Sequence, residues 1–163
     1  MRKFGKTVFL VILAGCSSQP STKNNLLVEQ RYVPLVDFQR IGEYFSEEEV
    51  PGSRIYFRTD PDQREGYYWI VDRDEIASAI NPTEILLSVQ IPGSPQIERY
   101  SYFINSTQTN GSEYWIGITG DDWPGPRFRP VAWQLSFLDE DGTLSMTSES
   151  FLWTTPTGTE IED

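Results

Sequence analysis

Histidine is absent from the 163 residues, and cysteine occurs once. Without imidazole there is no Ser-His-Asp or Cys-His nucleophile and no usual zinc or haem ligand set, because histidine is the commonest general base and a leading metal ligand. Positive charge is also scarce. The 13 Lys and Arg stand against 24 Asp and Glu, a formal charge of -11. Phosphate recognition needs clustered basic groups that displace counterions, so no nucleic-acid partner is expected. What the chain has in quantity is aromatic: 5 Trp, 8 Tyr and 9 Phe, enough to fill the core of a single domain without a disulfide.

The N-terminus reads Met1-Arg2-Lys3-Phe4-Gly5-Lys6, a cationic start, then an apolar run over 7–13, then Ala14-Gly15-Cys16. This is the form of a secretory signal peptide. The run is too short to cross a bilayer, which takes about 20 residues as a helix. Leu13-Ala14-Gly15-Cys16 resembles the bacterial lipobox, in which small residues precede a cysteine that receives a thioether-linked diacylglycerol before the leading peptide is removed. The resemblance implies a membrane anchor on Cys16 and no free thiol, so no cofactor beyond that covalent lipid is expected. Ser17 stands where, in such lipoproteins, Asp favours inner-membrane retention. Its presence implies the outer membrane, with the domain facing the periplasm. Loss of residues 1–15 takes Arg2, Lys3 and Lys6 from the 13 basic groups and none of the 24 acids, moving the charge from -11 to -14.

Residues 16–29 follow as a lipidated flexible tether, polar and without hydrophobic period over 17–25. Residues 30–65 read as an extended N-terminal segment packing on the main domain, with an acidic loop at Glu47-Glu48-Glu49 and a short strand over 54–58. From Gly66 to 155, runs rich in aromatic and β-branched residues recur between Gly, Pro, Asn and Asp. They cover 66–72, 84–91, 99–104, 113–119, 130–138 and 143–153. One short helix is predicted over 73–80, with Asp72 or Asp74 as its cap.

Val131, Trp133, Leu135 and Phe137 alternate with Ala132, Gln134 and Ser136, so the first set is expected on a buried face. Asp139-Glu140-Asp141-Gly142 predicts a tight turn into an antiparallel last strand, and the phase of that strand predicts a bulge or crossing over 147–150. An acidic tail closes the chain at 156–163. The strand count and spacing resemble an immunoglobulin or fibronectin type III domain, which implies an all-β, two-sheet antiparallel sandwich with one short helix. An eight-stranded barrel or jelly roll is the rival architecture.

The segment Gly120-Asp121-Asp122-Trp123-Pro124-Gly125-Pro126-Arg127-Phe128-Arg129-Pro130 joins two acids, two aromatics and two arginines in a loop stiffened by three prolines. Asp121, Asp122, Trp123, Arg127, Phe128 and Arg129 are therefore the candidate ligand or partner contacts. Such a loop either stacks on a sugar or grips a peptide, or it folds Trp123 under to close the sandwich while its arginines pair with Asp121 and Asp122.

Asp60-Pro61-Asp62 and Asp139-Glu140-Asp141 cluster carboxylates but lack the alternating spacing of a calcium loop, so no metal site is expected. Paired acids also serve glycoside hydrolysis, yet nothing in the sequence nominates a particular pair. No catalytic set emerges. Tyr67-Tyr68-Trp69 and Tyr114-Trp115 lie on predicted strands, where alternation sends Tyr68 or Trp115 to an outer face. The expectation is a non-catalytic accessory or assembly subunit, held at the membrane by its lipid and contacting another envelope protein. The alternative is a glycan- or peptide-binding module built on the 120–130 loop.

Overall fold

The computed structural model describes residues 26–38, 52–105 and 111–153. Cys16, the leader, the polar tether over 17–25, Glu47-Glu48-Glu49 and the 156–163 tail lie outside them. In chain order the elements are β1 (Val28–Val33), β2 (Arg54–Arg58), β3 (Gly66–Asp72), α1 (Arg73–Ala79), β4 (Glu84–Gln90), β5 (Ile97–Phe103), β6 (Glu113–Thr119), β7 (Ala132–Leu138) and β8 (Leu144–Glu149). They form two four-stranded sheets, ordered β1-β3-β6-β2 and β5-β4-β7-β8. The result is a sandwich of two separate sheets rather than a closed barrel.

One pairing departs from the expected antiparallel pattern: β2 lies parallel to β6, with Ile55 opposite Tyr114 and Phe57 opposite Ile116. The expected boundary at Gly66 is also corrected, because β1 pairs with β3 and β2 with β6. The segment before Gly66 thus supplies both edges of the first sheet.

Side-chain alternation builds the core. Tyr67, Trp69 and Val71 of β3, Tyr114, Ile116 and Ile118 of β6, and Ile55 and Phe57 of β2 face Ile85, Leu87 and Val89 of β4, with Trp133, Leu135 and Phe137 of β7. All are buried. Val131, expected among them, is 47% exposed, because it precedes β7 and spends its N–H on the Gln90 carbonyl at 2.9 Å.

Three connections cross between the sheets, β3 to β4, β5 to β6 and β6 to β7. From β3 to β4 the chain makes α1, where the Asp72 carboxylate accepts from the N–H groups of Asp74 at 2.7 Å and Glu75 at 3.3 Å. Ile76 is the one residue of this helix that reaches the core, and the helix ends just before Asn81-Pro82. From β6 to β7 the chain runs through the proline-rich 120–131 loop. The last hairpin forms as its turn predicts, with Gly142 at φ +73° and the Asp139 carboxylate accepting from Asp141 and Thr143. Its irregularity lies earlier than expected. Phe137 pairs with Met146 and Leu138 with Leu144, so Ser145 is the extra residue, while 147–149 pair regularly.

Candidate functional site

The 120–130 loop leaves β6 through Gly120 at φ +62°, where a Cβ would sit 2.5 Å from Asp60 Oδ2. A one-turn 3-10 helix over Gly120–Asp122 then turns the chain back towards the first sheet. Trp123 comes down on the cross-strand pair Tyr32 and Tyr67. Its ring lies within 11° of parallel to Tyr32 and 25° to Tyr67, at 5.9 and 5.6 Å between centroids. Phe128 meets Trp123 edge-on at 4.7 Å and is itself buried. The loop's aromatics therefore close the end of the sheet, and the network continues through Tyr67 to Trp69 and on to Trp133.

The arginines do not pair with Asp121 and Asp122 as one of the two expectations required. Arg129 donates to the carbonyls of Phe128 at 2.6 Å and Pro126 at 3.2 Å, and its guanidinium lies 5.8 Å from the Tyr67 ring centre. Among the described residues, Arg127, Asp121 and Asp122 form no ion pair and stand exposed as a polar rim beside half-buried Trp123 and buried Phe128. Of the six residues singled out from sequence, two are consumed by the fold, one braces the loop, and three face solvent. The floor of the arrangement, Tyr32 and Tyr67, escaped that reading. Only strand register brings residues 35 apart in the chain side by side. The phenols of both are held above their ordinary value of 10.0, Tyr32 through its hydrogen bond to Glu65 and Tyr67 by burial.

The outer face of the first sheet carries a second aromatic cluster. Tyr68, Ile70, Trp115 and Val33 are buried there against Phe38, with Tyr56 at their margin. Sequence alternation placed Tyr68 or Trp115 outside; both point outward, yet neither is an exposed patch. Arg54 lies 4.2 Å from the centre of Trp115 and Arg58 4.2 Å from that of Tyr56, while Arg31 reaches Trp115 at 5.4 Å and pairs with Glu29 at 3.1 Å. Three scarce cations thus serve as lids on rings. Arg58 also donates to the Tyr68 hydroxyl at 3.0 Å, and that hydroxyl donates to the Arg64 carbonyl at 2.6 Å.

Where the edges β2 and β5 meet, Tyr56, Phe57, Arg58, Pro61, Tyr102 and Phe103 line a shallow groove of about 280 Å³. Tyr102 ties the sheets together there, its hydroxyl donating to the Gly117 carbonyl at 3.1 Å, and burial pushes that phenol well above its usual range. Phe103, beside it, is 68% exposed. The carboxylates weighed as metal ligands are engaged in turn chemistry: Asp60 Oδ1 accepts from Asp62 N–H, and Asp139 closes the last hairpin. Among the described residues, no three acidic side chains converge as a metal site. In comparison with known proteins, the chain has no significant match to a family model, a curated protein or a solved structure.

Proposed function

We propose that this chain is an outer-membrane lipoprotein, anchored through Cys16 and facing the periplasm, that acts without catalysis as an accessory or assembly subunit through contacts with another envelope protein. The immunoglobulin-like character of its sandwich belongs to the same proposal. The observation that carries the reading is the stacking of Trp123 on Tyr32 and Tyr67, which commits the loop's most ligand-like ring to the fold. What the loop offers outward is the polar set Asp121, Asp122 and Arg127, suited to the rim of a protein contact rather than to a sugar platform. A sandwich hosts many roles, so fold alone does not choose between them.

Crosslinking of the lipidated protein in its own envelope, followed by capture and mass spectrometry, tests this. A stoichiometric protein partner whose recovery falls in a D121K/D122K/R127E variant is the expected result. The alternative, a glycan- or peptide-binding module using the 120–130 loop, draws on the exposure of Arg127 beside those two acids. It would be favoured by an empty capture together with quenching of Trp123 fluorescence by a soluble cell-wall glycan or peptide.

A further inference from the structure

The two ends of the described chain meet at one edge of the sandwich. Ser148 Oγ of β8 donates to the Leu26 carbonyl at 3.3 Å, just before β1 begins. Beyond β8, Ser150 is pinned to Trp133 by two bonds, its N–H to the Trp133 carbonyl and its Oγ accepting the Trp133 N–H. A turn closed by Trp153 N–H on the Ser150 carbonyl at 3.0 Å then holds Phe151 and Leu152 outward. Phe151 is 99% exposed, Leu152 60%, and Leu27, next to the bonded Leu26, 81%. An exposed apolar group of this size held by hydrogen bonds calls for an occupant.

We infer that this edge rests on the bilayer, with Leu27, Phe151 and Leu152 entering its interfacial region as a second membrane contact beside the lipid. The inference rests on the lipoprotein reading of Cys16. Leu26 stands ten positions after Cys16, so the edge lies at most about 35 Å from the anchored cysteine. Side chains this close to a membrane meet it at an effective concentration that makes even a weak apolar contact persistent. The charge of the chain selects the kind of surface: a strongly acidic domain is repelled by anionic headgroups, so the contact is apolar and suits a zwitterionic leaflet.

The test uses the mature, lipidated protein in phosphatidylcholine vesicles carrying lipids spin-labelled at the headgroup boundary. Acylated Cys16 has no thiol, so single Leu27→Cys, Phe151→Cys and Leu144→Cys variants each accept one fluorophore. Leu144 is the control, apolar and 48% exposed at the other end of β8, about 20 Å away along the strand. Quenching at positions 27 and 151 but not at 144 is expected. Quenching at 27 should fall about threefold or more in an added F151S/L152S background, as the apolar area is lost.

Equal quenching at all three positions on a protein whose mass shows the diacylglycerol overturns the docking and leaves the anchor standing. A mass without the lipid overturns both. Shielding of 27 and 151 in native envelopes but not in pure lipid overturns it in favour of a protein contact.

Discussion

The hydroxyls of Thr59 and Thr119 each bond both backbone groups of a residue across the strand ends. Thr59 Oγ1 accepts the Thr119 N–H at 2.8 Å and donates to the Thr119 carbonyl at 3.0 Å. Thr119 Oγ1 accepts the Asp60 N–H at 3.0 Å and donates to the Asp60 carbonyl at 2.9 Å. Four bonds thus clasp the end of the parallel strand β2 to the end of β6, where the ladder itself has stopped, and Thr119 is fully buried.

Thr119→Val keeps the shape and removes the hydroxyl, leaving the Asp60 N–H unpaired while the Asp60 carbonyl keeps the Gln63 N–H at 3.3 Å. It should cost about 1–3 kcal/mol, because orphaned buried groups carry their desolvation penalty. Thr59→Val should cost a similar amount, and the double variant less than the sum, since both act on one clasp. Urea unfolding of the four proteins measures the coupling; strict additivity would refute it.

Gly120→Ala and Gly142→Ala separate strain from collision. Both glycines have positive φ, +62° and +73°, but only at Gly120 would a Cβ meet other atoms, Asp60 Oδ2 at 2.5 Å and Asp60 Cβ at 2.7 Å. Gly142→Ala should lose about 1–2 kcal/mol from left-handed backbone alone. Gly120→Ala should lose more and also shift the environment of Trp123, three residues on. Thermal unfolding together with tryptophan emission reads both effects.

Trp123→Ala should destabilise the domain by about 3 kcal/mol, in the range for losing a large packed aromatic. Trp123→Phe should cost much less. Among the described residues, the buried indole N–H has no acceptor to lose, and a smaller ring still covers Tyr32 and Tyr67. Arg127→Ala, on the exposed rim, should stay within about 0.5 kcal/mol. A Trp123→Phe variant as unstable as Trp123→Ala would mean that stacking is not what seats the loop.

Alkaline pH should unfold this protein through its buried phenols. Tyr102 is raised well above 10.0 mainly by burial, and Tyr100 is raised by burial and by its hydrogen bond to Glu98. The folded state therefore holds these protons more tightly than the unfolded chain. Their contribution is fully present below about pH 10 and is lost as pH rises beyond it towards the folded-state values. Urea midpoints should be flat with respect to these groups from pH 7 to about 10 and fall above it. Tyr102→Phe should flatten the fall while costing stability at pH 7 through the lost bond to Gly117.

The strands over 54–58, 66–72 and 113–119 are legible to the residue, because Gly, Pro and Asp bracket each apolar run. The strand character of β1 was hidden for a physical reason. Both faces of the first sheet are covered, so Tyr32 turns to the core while its neighbour Val33 is buried under the outer cluster with Phe38, and no alternation survives in the sequence. The same double burial makes Tyr67 through Val71 continuously apolar. Trp123 was visible as unusual, but its destination depended on the Tyr32–Tyr67 register, a non-local fact that no local pattern encodes. The loop arginines misled: Arg129, weighed as a partner of Asp121 and Asp122, braces its own loop's carbonyls instead.

The strand order β1-β3-β6-β2 has a kinetic meaning. β2 is made before β3, yet its neighbour in the sheet is β6, more than fifty residues downstream. A chain made from its N-terminus presents Ile55 and Phe57 bare, and they stay bare until residue 119 has followed. In the second sheet β4 pairs locally with β5, and only its other edge waits for β7. Such long-range closure is slow compared with local hairpins. Residues up to 119, nearly three quarters of the 163, therefore have to be in place before the first sheet can close.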